Sequence, residues 1–274
     1  MTHKRITFIG AGNMARAIIG GLIADGYPAS AIGATDIDPQ RLQALTQQFG
    51  IHTGTENAEA VREADVIVLA VKPQVLREVA MALAPALGER TLVVSIAAGI
   101  QLDSLANWLG GSRPIVRVMP NTPALVGAGA AGLVSNAHVT EADREQAEAL
   151  MRAVGLTVWL DNETLIDSVT ALSGSGPAYV FLLMEAMAEA GEKLGIAPEQ
   201  ARLLTLQTVM GAAKLALESD VDAATLRRQV TSPGGTTEAA FKVFESRELK
   251  AIVSEALQAA ATRSDELARM FGGN

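Results

Sequence analysis

Two stretches of this chain join residue types that chemistry can use at spacings that make them usable. Near the amino terminus the apolar run Ile6-Thr7-Phe8-Ile9 meets Gly10-Ala11-Gly12-Asn13-Met14-Ala15, and a helical pattern continues through Ile18, Ile19, Leu22 and Ile23. Strand, glycine turn and helix, in that order, are what a dinucleotide pyrophosphate requires. Gly10 permits the tight turn, Gly12 lets backbone approach the phosphates, Ala15 lets helix pack on strand, and the helix start offers free N–H groups. An ordinary βα turn uses similar glycines, so this motif gains force only from its context. The second stretch is Thr231-Ser232-Pro233-Gly234-Gly235-Thr236-Thr237, which precedes Glu238 and another helical run. Glycines followed by hydroxyls at a helix start present amides to an anion such as a carboxylate. Ser173-Gly174-Ser175-Gly176-Pro177 opens a further long helix, with Ser175 placed to cap it and Pro177 suited to its first turn.

Other chemistries are excluded by what is missing. There is no cysteine, which removes disulfides, thiolate nucleophiles and cysteine-ligated zinc. The histidines are His3, His52 and His138, so no histidine base follows residue 138. That argues against a Ser-His-Asp hydrolase and against a dehydrogenase whose second domain brings a catalytic histidine. No metal site is expected. The formal charge of −8 is a poor match for nucleic acid, and no apolar stretch reaches the length of a membrane span. The first residues run straight into a strand with no room for a signal peptide, which places the expected protein in the cytoplasm.

The elements that must position the two stretches can be read in order. Ile32–Thr35 forms a second strand with Asp36 at its end, where an acidic side chain can meet the ribose hydroxyls of the cofactor. An anion there should repel the 2′-phosphate of NADPH, although Arg41 nearby can offset it. Residues 66–71 form a continuous apolar run, as a central parallel strand does, and deliver Lys72 and Pro73 to the ligand edge. A surface lysine before a proline turn would account equally for Lys72. Residues 91–96 form the next strand and end in Ala97-Ala98-Gly99, small enough for a nicotinamide ring to lie against backbone. Pro120-Asn121-Thr122-Pro123 stands at the same edge. Residues 129–134 and 156–160 supply further strands, and Thr140 opens a helix between them. After residue 160 only helical periodicity remains, over 165–172, 178–194, 198–217, 223–230 and 249–270. The fold class is therefore α/β: an amino-terminal Rossmann doubly wound sheet over 1–160, then an all-helical domain over 161–274. Val180, Leu183, Met187, Leu203, Leu206 and Met210 make the helical domain apolar enough to share a core with a second copy; filling its own core is the plainer use.

With both loops in hand, the chain resembles the pyrroline-5-carboxylate reductases. The matching pieces are FIGAGNMA, LAVKPQ, SIAAGI, RVMPNTP, LSGSGPAYVF and VTSPGGTT, in family order and across almost the whole length. The resemblance implies a nicotinamide cofactor, NADPH or NADH, contacted by Gly10, Ala11, Gly12, Asn13, Met14, Ala15, Asn57, Ala70, Val71, Lys72, Pro73, Ala97 and Ala98. It also implies that Glu163, Thr236 and Thr237 lie near the bound imino acid, with Thr237 touching it. A homodimer through the helices is implied as well, with a ring of five such dimers as a larger assembly. Asp36 departs from many relatives, which carry a neutral or basic residue there and accept NADPH. The reaction is hydride transfer to the C=N carbon of 1-pyrroline-5-carboxylate, giving L-proline. Gly234, Gly235 and the Thr236–Thr237 amides suit the substrate carboxylate, and Thr237 is the candidate catalytic donor beside the ring nitrogen. Two other readings use the same motifs: a reductase of another cyclic imine, and a non-catalytic nicotinamide-nucleotide sensor. A β-hydroxyacid dehydrogenase shares the plan, but its catalytic lysine position falls on Val180.

Overall fold

The computed structural model describes residues 3–272. Met1, Thr2, Gly273 and Asn274, which the expected domain ranges include, lie outside the described residues. Eight strands form one sheet: β1 (Ile6–Ile9), β2 (Ile32–Thr35), β3 (His52–Gly54), β4 (Val66–Leu69), β5 (Leu92–Ser95), β6 (Ile115–Met119), β7 (Gly129–Ser135) and β8 (Gly155–Trp159). Their spatial order is β3-β2-β1-β4-β5-β6-β7-β8. Every neighbouring pair is parallel except β6 and β7. The chain runs outward from β1 through β2 to β3, then crosses back to β4 on the other side of β1. That reversal is the switch point at which doubly wound sheets bind ligands.

The helices of this region are α1 (Asn13–Ala24), α2 (Pro39–Phe49), α3 (Asn57–Ala60), α4 (Pro73–Leu83), α5 (Leu102–Leu109), α6 (Glu141–Arg152) and α7 (Leu165–Val169). Local chemistry sets their ends. Asp38 accepts from Gln40 N to open α2, Gly50 closes it, and Thr140 with Asp143 forms a full capping box on α6. The strands β1, β4 and β5 are buried throughout, because helices cover both faces of the sheet. One apolar layer holds Phe8, Ala15, Ile18, Val68 and Val94; the other holds Ile9, Ile67, Leu69, Leu76 and Leu105.

The remaining helices are α8 (Gly176–Lys193), α9 (Pro198–Leu217), α10 (Ala223–Gln229), α11 (Thr236–Ser246) and α12 (Leu249–Gly272). The chain forms two compact units, residues 1–175 with 259–274, and residues 176–258. The last strand ends at Trp159, close to where the composition changes, yet the units divide after Ser175 and the chain's end returns to the first. Within the second unit α8 lies against α9, and the contact is close because both helices are small where they meet: a Cβ on Gly191 would stand 3.3 Å from that of Ala201. Two features differ from the sequence reading. β3 is an added edge strand, too short and too exposed to show an apolar pattern. The Ser173–Pro177 stretch is not a plain loop: Thr170–Gly174 wind as a π-helical turn, with Ser175 N donating to Thr170 O at 2.8 Å, and a bend at Ser175 leads into α8.

Candidate active site

In the first unit, three turns lie side by side at the carboxyl edge of the sheet. Ala70 N donates to Ile9 O at 2.8 Å and Ile96 N to Leu69 O at 3.1 Å, which fixes the exits of β1, β4 and β5 in line. Gly10 has φ +103°, and a Cβ there would stand 2.7 Å from Ala70 O, so only glycine lets the first two turns approach this closely. Gly12 precedes α1 and supplies no side-chain cap, while a Cβ on it would meet nothing within 4 Å. The start of α1 is thus open, with its leading amides uncapped by side chains, and it fits an anionic pyrophosphate. Asn13 and Met14 are the first residues of α1, and Ala15 is fully buried where the helix meets the sheet. Ala70 and Val71 are half-buried; Lys72 is exposed directly before α4, and Pro73 is that helix's first residue. Ala97 is buried and Ala98 exposed in the turn after β5. Asn57 begins α3, half-buried.

Asp36 stands at the end of β2 as expected, and its carboxylate is already employed. Oδ2 accepts from Ala11 N at 2.8 Å and Oδ1 from Asp38 N at 2.9 Å, with the side chain 9% exposed. The guanidinium of Arg41 lies 3.7 Å from Asp36 and 3.3 Å from Asp38. Asp36 therefore ties the glycine turn to the end of β2 and leaves a positive group beside its negative one at the rim.

Glu163 has partners the sequence did not suggest. Its Oε1 accepts from Leu102 N at 2.8 Å and from the Arg117 guanidinium at 2.6 Å, and the Arg117 side chain is only 3% exposed. Two demands meet here: a buried arginine needs a carboxylate, and α5 starts at Gln101 without a side-chain cap. Arg117 in an otherwise apolar strand is the signal for it in the sequence. Asn121 is similarly committed. Its Nδ2 donates to Ser173 O at 2.9 Å and its Oδ1 accepts from Ala130 N at 2.8 Å, joining the Pro120–Pro123 loop, β7 and the π-turn.

In the second unit, Gly235 is the residue before α11, and no side chain caps it. Thr236 and Thr237 are the first two helical residues, Thr237 half-buried, so Thr237 is not the cap of its helix. The Gly234 amide donates to Glu238 Oε2 at 2.9 Å, and Gly235 N donates to Ser232 O at 3.0 Å. Both glycine amides expected to meet a substrate carboxylate thus already have partners, Gly235 within the loop and Gly234 on Glu238, which adds negative charge in the first turn of α11. Among the described residues no group of three or more His, Asp or Glu side chains is arranged to hold a metal.

Residues 163–267 match the family described as pyrroline-5-carboxylate reductase dimerisation, and residues 5–99 match NADP oxidoreductase, coenzyme F420-dependent. The chain is 57% identical to a pyrroline-5-carboxylate reductase of Pseudomonas aeruginosa over 272 residues, 99% of this chain and all of that one. Its fold is similar to a pyrroline-5-carboxylate reductase of Coxiella burnetii, with TM-score 0.94 and 48% identity over 97% of this chain and 99% of the other. It is also similar to the Plasmodium falciparum pyrroline carboxylate reductase with NADP bound, with TM-score 0.86 and 30% identity over 98% of this chain and 99% of the other.

Proposed function

The chain belongs to the pyrroline-5-carboxylate reductase family, and from that membership we propose which of its residues carry the reaction. It is an NAD(P)H-dependent oxidoreductase that reduces the C=N bond of 1-pyrroline-5-carboxylate to L-proline, the last step of proline biosynthesis. Its substrate is a small molecule, and it carries the family's dimerisation domain.

The observation that supports the cofactor assignment best is the alignment of the β1, β4 and β5 exits, with Gly10 against Ala70. The glycine turn and the start of α1, together Gly10–Ala15, take the pyrophosphate; Asp36 faces the ribose; Asn57 and Ala70–Pro73 line the nucleotide; Ala97 and Ala98 carry the nicotinamide. When bound, the cofactor supplies hydride from C4 of that ring. Thr237 donates a hydrogen bond to the nitrogen lone pair of the neutral imine, which draws electron density from the C=N carbon that takes the hydride. The helix start at Thr236–Thr237, with Gly234 and Gly235 shaping the approach, receives the substrate carboxylate. Glu163 acts from one step further out, through Arg117 and the first amide of α5.

A homodimer through the helical unit is the assembly that its surface favours. α8 contains no buried residue, and Phe181, Leu183, Leu203 and Met210 are each more than half exposed. Such a surface calls for a partner of matching apolar character. A ring of five dimers and a cytoplasmic location complete the reading; no described helix is long and apolar enough to cross a membrane.

The test is oxidation of NADPH and of NADH by the purified protein with 1-pyrroline-5-carboxylate, alongside the six-membered cyclic imino acid. Proline formation with the five-membered ring is expected. Tight nucleotide binding with no turnover of either imine would instead make the chain a sensor.

A further inference from the structure

The turn that follows β5 has two faces. Ala98 is exposed, whereas Gly99 and Ile100 are buried. What covers Gly99 is the end of the chain. Gly99 sits at φ +73°, and a Cβ added there would lie 3.2 Å from the Phe271 ring and 3.6 Å from the backbone of Leu267. Phe271 packs into the same apolar layer as Ala97, Ile100, Leu102 and Leu105. The helix end that carries it is tied down at two points: Ser264 Oγ donates to Asp167 Oδ1 at 2.6 Å, and Ser104 Oγ donates to Gly272 O at 3.3 Å. The far end of the turn is pinned separately, by Glu163 on Leu102 N.

We propose that Phe271 is a positioning residue for hydride transfer, holding the Ala97–Gly99 turn from behind so that its open face keeps the place of the nicotinamide. The inference rests on the cofactor reading above and extends it to a side chain that touches no ligand. The physical argument is one of stiffness. A turn of small side chains has little packing of its own, and a glycine in the left-handed region has no Cβ with which to lock its conformation. Its position is therefore set by what presses on it. Displacement of a positioning surface by a fraction of an ångström is enough to loosen a bound ring and misalign the hydride.

The experiment uses the full chain with Phe271→Ala, Phe271→Leu and Ala98→Leu, reading the dissociation constant of NADPH by calorimetry without imino acid, then steady-state kinetics and melting temperature. Phe271→Ala should weaken NADPH binding by about fivefold or more, raise the KM of NADPH in parallel, and leave the KM of the imino acid within about twofold. Phe271→Leu keeps an apolar contact on Gly99 and should recover most of the affinity. If Phe271→Ala does not fold, Phe271→Val carries the same comparison, with a rise in the dissociation constant of at least about twofold expected. A Phe271→Ala protein that melts lower but binds NADPH as the parent does would overturn the proposal. Ala98→Leu separates the two readings. If it weakens NADPH while Phe271→Ala does not, only the positioning role fails. If it leaves NADPH binding unchanged, the nicotinamide does not lie on this turn, and both readings fall.

Discussion

The two units of this chain are built from similar residues and finished to different degrees. In the first, apolar strands are sealed between helices of the same unit, and Ile6, Phe8, Ile9 and Ile67 have no exposure at all. In the second, α9 buries only Ala201 and Thr205, while α10 and α11 bury none. The first unit's site is a set of turns whose positions its own core dictates. The second unit's loop is anchored by a few local bonds, Glu238 to Gly234 among them. Hydrophobic content alone did not distinguish these cases; what distinguishes them is whether the apolar face has a partner within the chain.

The largest test of that contrast lies on the unfinished surface. Phe181→Asp puts a charge where a partner copy is expected, and an unpaired charge in such a contact costs several kcal/mol. The variant should lose both assembly and turnover, whereas the parent should show no folded 28.5 kDa species at micromolar concentration in sedimentation. A parent that sediments as a folded, active monomer removes the contrast altogether.

Thr237 comes next in size. Thr237→Ala should lower kcat/KM by roughly 10- to 1,000-fold, and Thr237→Ser should keep most activity, as the loss of one functional hydrogen bond implies. Gly235, not Thr237, holds the cap position of this helix, so little change in melting temperature is expected. A destabilised enzyme with normal kcat/KM would return Thr237 to a structural role.

On the finished side the expected effect is smaller. Asp36→Ala should raise the NADPH-to-NADH ratio of kcat/KM by roughly tenfold or more, the size of a like-charge penalty at an effective dielectric near 20. Affinity for both cofactors should fall together, because Ala11 N loses its acceptor. An unchanged ratio would mean that Asp36 serves only the turn.

The smallest effect belongs to a surface cap. Asp222 opens α10, and hydrogen bonds from Thr225 hold its carboxyl below the usual carboxylate range, with Arg228 adding to this. A lowered folded value means stability that is present above the unfolded value and lost as pH falls through the folded one. The melting-temperature gap between the parent and Asp222→Asn should therefore narrow on acidification, and a gap constant with pH would contradict it.

The parts of the fold legible in the sequence were those set by short-range rules. The β1 turn, Asp36 at the end of β2 and the helix opened by Thr140 follow from neighbours a few residues away. The span Pro198–Leu217 was read to the residue, with proline marking its first position. What stayed hidden depended on distant partners. The fate of Glu163 required Arg117 and Leu102, and the π-turn required Asn121 to hold Ser173. Thr237 was recognisable by type, but its place inside α11 rather than before it depended on Gly235 taking the cap position.

The return of residues 259–272 to the first unit bears on how the chain is made. Ser104 waits for Gly272, and Gly99 for Phe271, across most of the chain's length. A ribosome releases the sheet well before residues 259–272, so the older part of the nascent protein remains unfinished until that segment has emerged. Loop-closure entropy makes such late joins slow, and they come after the local helices have formed. A chain terminated before that segment would display the glycine turn while the turn after β5 lacked the Phe271 ring that packs on Gly99.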